Sequence, residues 1–134
     1  MVKITATYNG EKHCESQHEP SGRKLDTDAP KDNQGLGESF SPTDLVATAL
    51  GTCILTTMAI VAERDGISMI NARMSVEKEM SANPRRIAKL TTIIELPNSI
   101  PQDYRAKIEH VGLSCPVTKS LHSDVEVPVE FRYV

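Results

Sequence analysis

The sequence predicts an α+β fold in the order βββαββααβ, with antiparallel sheets around one long central helix. Three observations predict it. Residues 41–66 read as a single capped helix that is apolar almost all round. The segments on either side of it alternate polar and apolar side chains as strands do. The chain, at 134 residues one domain by length, also has no internal repeat, so it reads as a single domain, residues 1–134.

Taken in order, Lys3 to Tyr8 has the β-branched and aromatic content of a strand, and Asn9-Gly10 is a strong hairpin turn. Glu11 to His18 returns as its partner, and Pro20-Ser21-Gly22 turns the chain into a third strand, Arg23–Asp28. Residues 29–40 are turn-rich and form a mobile surface loop that feeds the main helix, a place where function often sits. Ser41 is suited to cap that helix, Pro42 to its first turn, and Asp44 to the acidic position of a capping box. From Leu45 to Ala62 the segment lacks a polar face, so it has to be covered on every side. Gly66 can take the left-handed conformation that closes it. Ile70, Ala72, Met74 and Val76 share one face of the next strand. After the turn at Ala82-Asn83-Pro84, Ala88, Leu90, Ile94 and Leu96 share a face of another. Ser99 and Pro101 open a helix whose inner face carries Tyr104, Ile108 and Val111. A short helix follows at Cys115-Pro116. The last strand alternates Val125, Val127, Val129, Phe131 and Tyr133, with Pro128 marking a free edge or a bulge.

A charge of −3 and a pI of about 5.8 argue against a nucleic-acid partner. The longest apolar stretch, 49–62, is broken by threonines and falls short of the roughly 20 residues of a membrane span. Residues 1–20 hold no continuous apolar segment, so no signal peptide and a cytoplasmic location are expected. With no Trp, two Phe and three Tyr, aromatic packing cannot dominate the core. A helix apolar on all sides is hard to cover from within so small a chain, which predicts a homodimer that shares it.

Cys14, Cys53 and Cys115 are an odd number and too few for a secreted disulfide framework. Cys115 sits where a helix starts, and free amides there favour a thiolate, so on local grounds it is the readier of the two later thiols. Cys53 lies about 12 Å along its helix from Leu45 and would need a partner brought by the fold. On spacing alone, a cysteine so placed is more often a small core hydrophobe. His13 and Cys14 are strand neighbours pointing to opposite faces, so with His18 they make no chelating set, and His110 and His122 lie far away; no metal is expected. Serine-nucleophile and dinucleotide motifs are missing, and no cofactor is implied.

Ser-Pro-Thr-Asp-Leu-Val-Ala-Thr-Ala-Leu-Gly-Thr-Cys (41–53) and Leu-Ser-Cys-Pro-Val-Thr-Lys-Ser-Leu (113–121) resemble the OsmC/Ohr family, the osmotically inducible proteins and organic hydroperoxide reductases, in its general OsmC-like branch. The resemblance implies an intertwined homodimer with active sites at the subunit interface. It also implies a peroxidatic Cys53 that attacks organic hydroperoxides or hydrogen peroxide and becomes a sulfenic acid. Cys115 then closes a Cys53–Cys115 disulfide, and an external dithiol, often a lipoylated protein in that family, restores both thiols.

The hydroperoxide-reductase branch activates its thiolate with a Glu ten residues before the cysteine and an Arg in the first hairpin. Here those places hold Thr43 and the pair Glu11, Lys12. Asp44, Glu38, Arg23 and Lys12 are the substitutes the sequence offers. Asp44 stands nine residues before Cys53, about 180° round and 13 Å along the helix, which suits a cap or the other subunit. Two further readings use the same residues. One is a non-enzymatic stress dimer that binds a small ligand and keeps both thiols unreactive; the other is sulfur transfer or redox sensing.

Overall fold

A computed structural model describes residues 1–134, which divide into two compact units, Met1–Val46 and Ala47–Val134. The first unit holds β1 (Ile4–Gly10), β2 (His13–His18) and β3 (Arg23–Asp28) as an antiparallel meander. The β1–β2 reversal falls two residues later than the Asn-Gly pair. Asn9 is the extra residue of a bulge, because the register passes from Tyr8 opposite Cys14 directly to Gly10 opposite His13. Glu11 and Lys12 then take the left-handed turn conformation, at φ 53° and 66°. The Lys12 amide donates to Tyr8 Oη at 3.2 Å.

Residues 29–40 contain one 3₁₀ turn, Lys31–Asn33, and are fastened to the end of β3. Asp28 Oδ2 accepts from the Leu36 and Glu38 amides at 3.2 and 3.0 Å, and the Asp28 amide donates to the Phe40 carbonyl. Gly35 is required here: a Cβ would stand 1.7 Å from the Ala29 carbonyl oxygen. The loop delivers Ser41 to the start of α1 (Pro42–Arg64), where the capping box forms as the sequence indicates. The Asp44 amide donates to Ser41 Oγ at 3.1 Å, and the Ser41 amide donates to Asp44 Oδ2 at 2.8 Å.

The second unit contains the body of α1, β4 (Arg73–Ser81), β5 (Arg86–Leu96), α2 (Gln102–Leu113), α3 (Pro116–Ser120) and β6 (Val129–Tyr133), with sheet order β4-β5-β6. The element order is the one read from the sequence, but the second sheet is not wholly antiparallel. β6 runs parallel to β5, because α2 and α3 form a crossover that returns the chain to the end where β5 began. Pro128 precedes β6; its carbonyl accepts from the Thr92 amide, and the ladder continues only from Val129. Ile70 lies outside β4 and is 74% exposed, since Asn71 takes φ 72° and the Ala72 amide closes a turn on Met69. Ser99 does not cap α2. It lies inside a turn closed by Ile100 onto Pro97, and Pro101 takes the cap position without a side-chain bond.

The core of this unit is Leu50, Ile54 and Met58 of α1, with Leu90, Ile94, Leu96, Ile100 and Ile108. Gly112 lets α2 close on α1, since a Cβ there would lie 2.8 Å from Met58 Sδ and 3.3 Å from Ile54 Cγ2. All-round burial of α1 is not observed. Ala47, Leu50, Gly51, Ile54, Met58 and Ala62 make one buried stripe, and Ala49, Thr52, Thr56 and Ile60 make an exposed one on the opposite side. At 23 residues α1 is long and apolar enough to cross a membrane by length and composition. Core helices of folded domains pass the same test, so this is weak evidence.

Just beyond α1, Asp65 Oδ2 accepts from Lys107 Nζ and from Tyr104 Oη of α2, each at 2.7 Å. Lys107, then Tyr104, holds the Asp65 carboxyl below its ordinary value of 3.8. The folded state therefore gains from Asp65 at all pH above the ordinary carboxylate range, and loses that gain as pH falls through the lower folded value. Thermal melts of the wild type and Asp65→Asn are expected to differ by a constant margin from about pH 7 to 5 and to converge below about pH 4. A margin independent of pH contradicts this.

Candidate active site

Cys53 lies in the middle of α1, half-buried, on the border between its buried and exposed stripes. Its Sγ is 3.9 Å from Thr57 Oγ1, one turn on. Cys115 is the N-cap of α3 and is 0% exposed. Its Sγ accepts from the Thr118 amide at 3.4 Å and lies 3.1 Å from Thr118 Oγ1. The helix-start environment expected from Cys115-Pro116 is therefore built, with Pro116 in the first turn. Both thiols are free and belong to the unit 47–134. The Gly112 approach sets the C-terminal end of α2 against Ile54, the residue next to Cys53, and Cys115 follows Gly112 by three positions.

The residues considered as thiolate activators lie in the first unit and are engaged there in different ways. Asp44 is bound into the capping box. Lys12 is a turn residue at φ 66°, and Arg23 is exposed at the start of β3. Glu38 Oε2 lies 3.3 Å from His13 Nε2. Cys14 faces away from His13 on β2, as strand geometry requires, and is half-buried.

One constellation escapes a reading by motif. His13, Asp28 and Glu38 converge so that one ligand atom from each lies within 4.8 Å of the others. His13 Nε2 is 3.6 Å from Asp28 Oδ2, and Asp28 is only 1% exposed. The amide of Glu38, the neighbouring imidazole and the amide of Leu36 hold the Asp28 carboxyl below its ordinary range. The Glu11 carbonyl on Nδ1, with the two carboxylates near Nε2, raises the imidazole above its own. The signal for the His13–Asp28 pair of this cluster was in the strand register rather than in any spacing along the chain.

The chain is similar to known proteins over nearly its whole length. A family model described as OsmC-like protein matches residues 35–130. A protein of Psychrobacter arcticus 273-4, provisionally described as an osmotic stress induced and detoxification response protein, is 36% identical. That match covers 98% of this chain and 96% of the other, with a TM-score of 0.93. An OsmC-like protein from Mycoplasma pneumoniae is 20% identical, covers 100% of this chain and 97% of its own, and has a TM-score of 0.83. The organic hydroperoxide resistance protein OhrB of Bacillus subtilis is 15% identical over 98% of each chain, with a TM-score of 0.73. At those two identities the likeness establishes the fold. No curated protein matches the chain significantly.

Proposed function

Because the chain belongs to the OsmC-like protein family, we propose that it is a cytoplasmic thiol peroxidase of stress defence that reduces organic hydroperoxides or hydrogen peroxide. The thiolate of Cys53 attacks the outer peroxide oxygen and the O–O bond breaks. The alcohol leaves with a proton, and Cys53 is oxidised to a sulfenic acid. The thiol of Cys115 displaces water from that sulfur and forms the Cys53–Cys115 disulfide. An external dithiol, such as a lipoyl group, then reduces the disulfide and is itself oxidised.

The observation that carries this reading is the unequal setting of the two free thiols within one unit. Cys53 is half-buried at the border of the buried face of α1, so its sulfur is not sealed in the core. Cys115 is buried one turn beyond the glycine that brings α2 against Ile54, and its sulfur is already held by a helix-start amide. The uncovered stripe Ala49, Thr52, Thr56 and Ile60 supports a homodimer in which a second copy covers α1 and walls the Cys53 site. Ile60, 62% exposed in the single chain, is the large apolar side chain such a contact would cover.

Steady-state assays with cumene hydroperoxide are expected to give sustained turnover with dihydrolipoamide and much slower turnover with a monothiol. No peroxide consumption with either reductant contradicts the proposal and favours the ligand-binding reading, in which the burial of Cys115 keeps it inert.

A further inference from the structure

A second group of chemically capable side chains belongs to the first unit, whereas both late cysteines belong to the second. His13 of β2 faces Asp28 at the end of β3, and Glu38 comes down from the loop that Asp28 itself fastens. His13 Nδ1 is 2.7 Å from the Glu11 carbonyl oxygen. A carbonyl only accepts, so Nδ1 carries a proton, and Nε2 is the nitrogen turned to the two carboxylates, where a metal cation would compete with a proton for it. Three potential ligand atoms, one from each residue, then converge within 4.8 Å of one another. A backbone carbonyl accepting from the far imidazole nitrogen is the usual outer-shell arrangement of a metal-binding histidine.

Asp28 supplies an independent observation. Its Oδ2 is satisfied by two amides, but Oδ1 is buried with no hydrogen-bond partner. A buried carboxylate oxygen left unpaired is costly unless a cation or donor meets it. The distances from His13 run to Glu38 and to Asp28 Oδ2, the other oxygen of the same carboxyl, and they discriminate between a proton and a metal cation as the charge shared there. An imidazolium N–H donating to a carboxylate sits at about 2.7–2.9 Å. His13 Nε2 stands 3.3 Å from Glu38 Oε2 and 3.6 Å from Asp28 Oδ2. Two ligand atoms bound tetrahedrally at about 2.0–2.2 Å from a zinc ion are separated by about 3.4 Å. The two His13 spacings bracket that edge, and the Asp28–Glu38 pair lies within 4.8 Å.

We propose that His13, Asp28 and Glu38 bind one divalent first-row transition cation of the zinc or cobalt class, through one imidazole and two carboxylates, with a further position left to solvent. The mixed nitrogen and oxygen donors suit such a cation better than a soft Cu(I), and the single imidazole distinguishes the site from an all-oxygen magnesium or calcium cage. Bound there, the cation joins β2, the end of β3 and residues 29–40, the segment that carries the Ser41 cap of α1.

Co²⁺ reports both stoichiometry and ligand type, so it is the probe of choice at neutral pH on the full chain with its cysteines reduced. The wild type is expected to take up one Co²⁺ per chain, with ligand-field bands and no sulfur-to-cobalt charge-transfer band, and Zn²⁺ is expected to displace it. Glu38→Gln changes a side chain that is 61% exposed, so the fold survives while affinity falls at least about tenfold. His13→Gln is expected to remove binding. No uptake by the wild type overturns the proposal, as does uptake that both variants leave unchanged. A sulfur-to-cobalt band lost in Cys53→Ser also overturns it, because the cation is then held by thiols.

Discussion

Cys53→Ser is expected to abolish hydroperoxide turnover, while Cys115→Ser consumes one equivalent of peroxide and stops. The difference follows from the two roles. An alcohol at position 53 is scarcely ionised at neutral pH and leaves no nucleophile for the O–O bond, whereas a thiolate is intrinsically reactive. Removing Cys115 leaves attack intact and removes only the thiol that closes the disulfide, so Cys53 halts as a sulfenic acid that dimedone traps. The reverse pattern, with Cys115→Ser inactive and Cys53→Ser reacting once, assigns attack to the thiol at the α3 start. The Thr118 amide on Cys115 Sγ makes that exchange of roles a real alternative, and the pair of variants decides it.

Ile60→Glu is expected to turn a dimer of about 29 kDa, twice the 14.7 kDa chain, into a monomer at micromolar concentration. Ile60 is 62% exposed in the single chain, so the substitution leaves the core untouched and the melting behaviour of the subunit largely intact. In a dimer that covers this stripe, the new carboxylate would be buried without a partner. Such burial costs several kcal/mol, enough to dissociate an ordinary interface. Light scattering of the wild type at 14.7 kDa contradicts the dimer outright, whatever the variant does.

The sequence made much of this fold readable because its local signals agree with one another. Ser41, Pro42 and Asp44 specify the helix start through bonds made within four residues, and the structure makes both of them. The alternation in β5 survives as the buried row Leu90, Thr92, Ile94 and Leu96. The parallel pairing of β6 was less legible, since strand direction depends on where a crossover delivers the chain rather than on the strand's own residues. The half-covered state of α1 was illegible for a similar reason. Composition says that a face is apolar, not whether its cover comes from the same chain.

The His13–Asp28–Glu38 cluster falls between these cases. The turn at 19–22 sets His18 opposite Arg23, and five steps down each strand the same register sets His13 opposite Asp28. That pair could be counted out from the turn. Glu38 could not, because its arrival depends on the path of residues 29–37 around Asp28, where Gly35 passes against Ala29. At the thiols, motifs identify Cys53 and Cys115, while the side chains that would activate Cys53 leave no mark in the single chain.

The central claim, that Cys53 and Cys115 act as one redox pair, is tested most directly by a non-reducing peptide map of the wild type after one equivalent of cumene hydroperoxide. The predicted result is a single Cys53–Cys115 cross-linked peptide with Cys14 still reduced. Both late cysteines recovered as free thiols, or cross-linked only to Cys14, would contradict it.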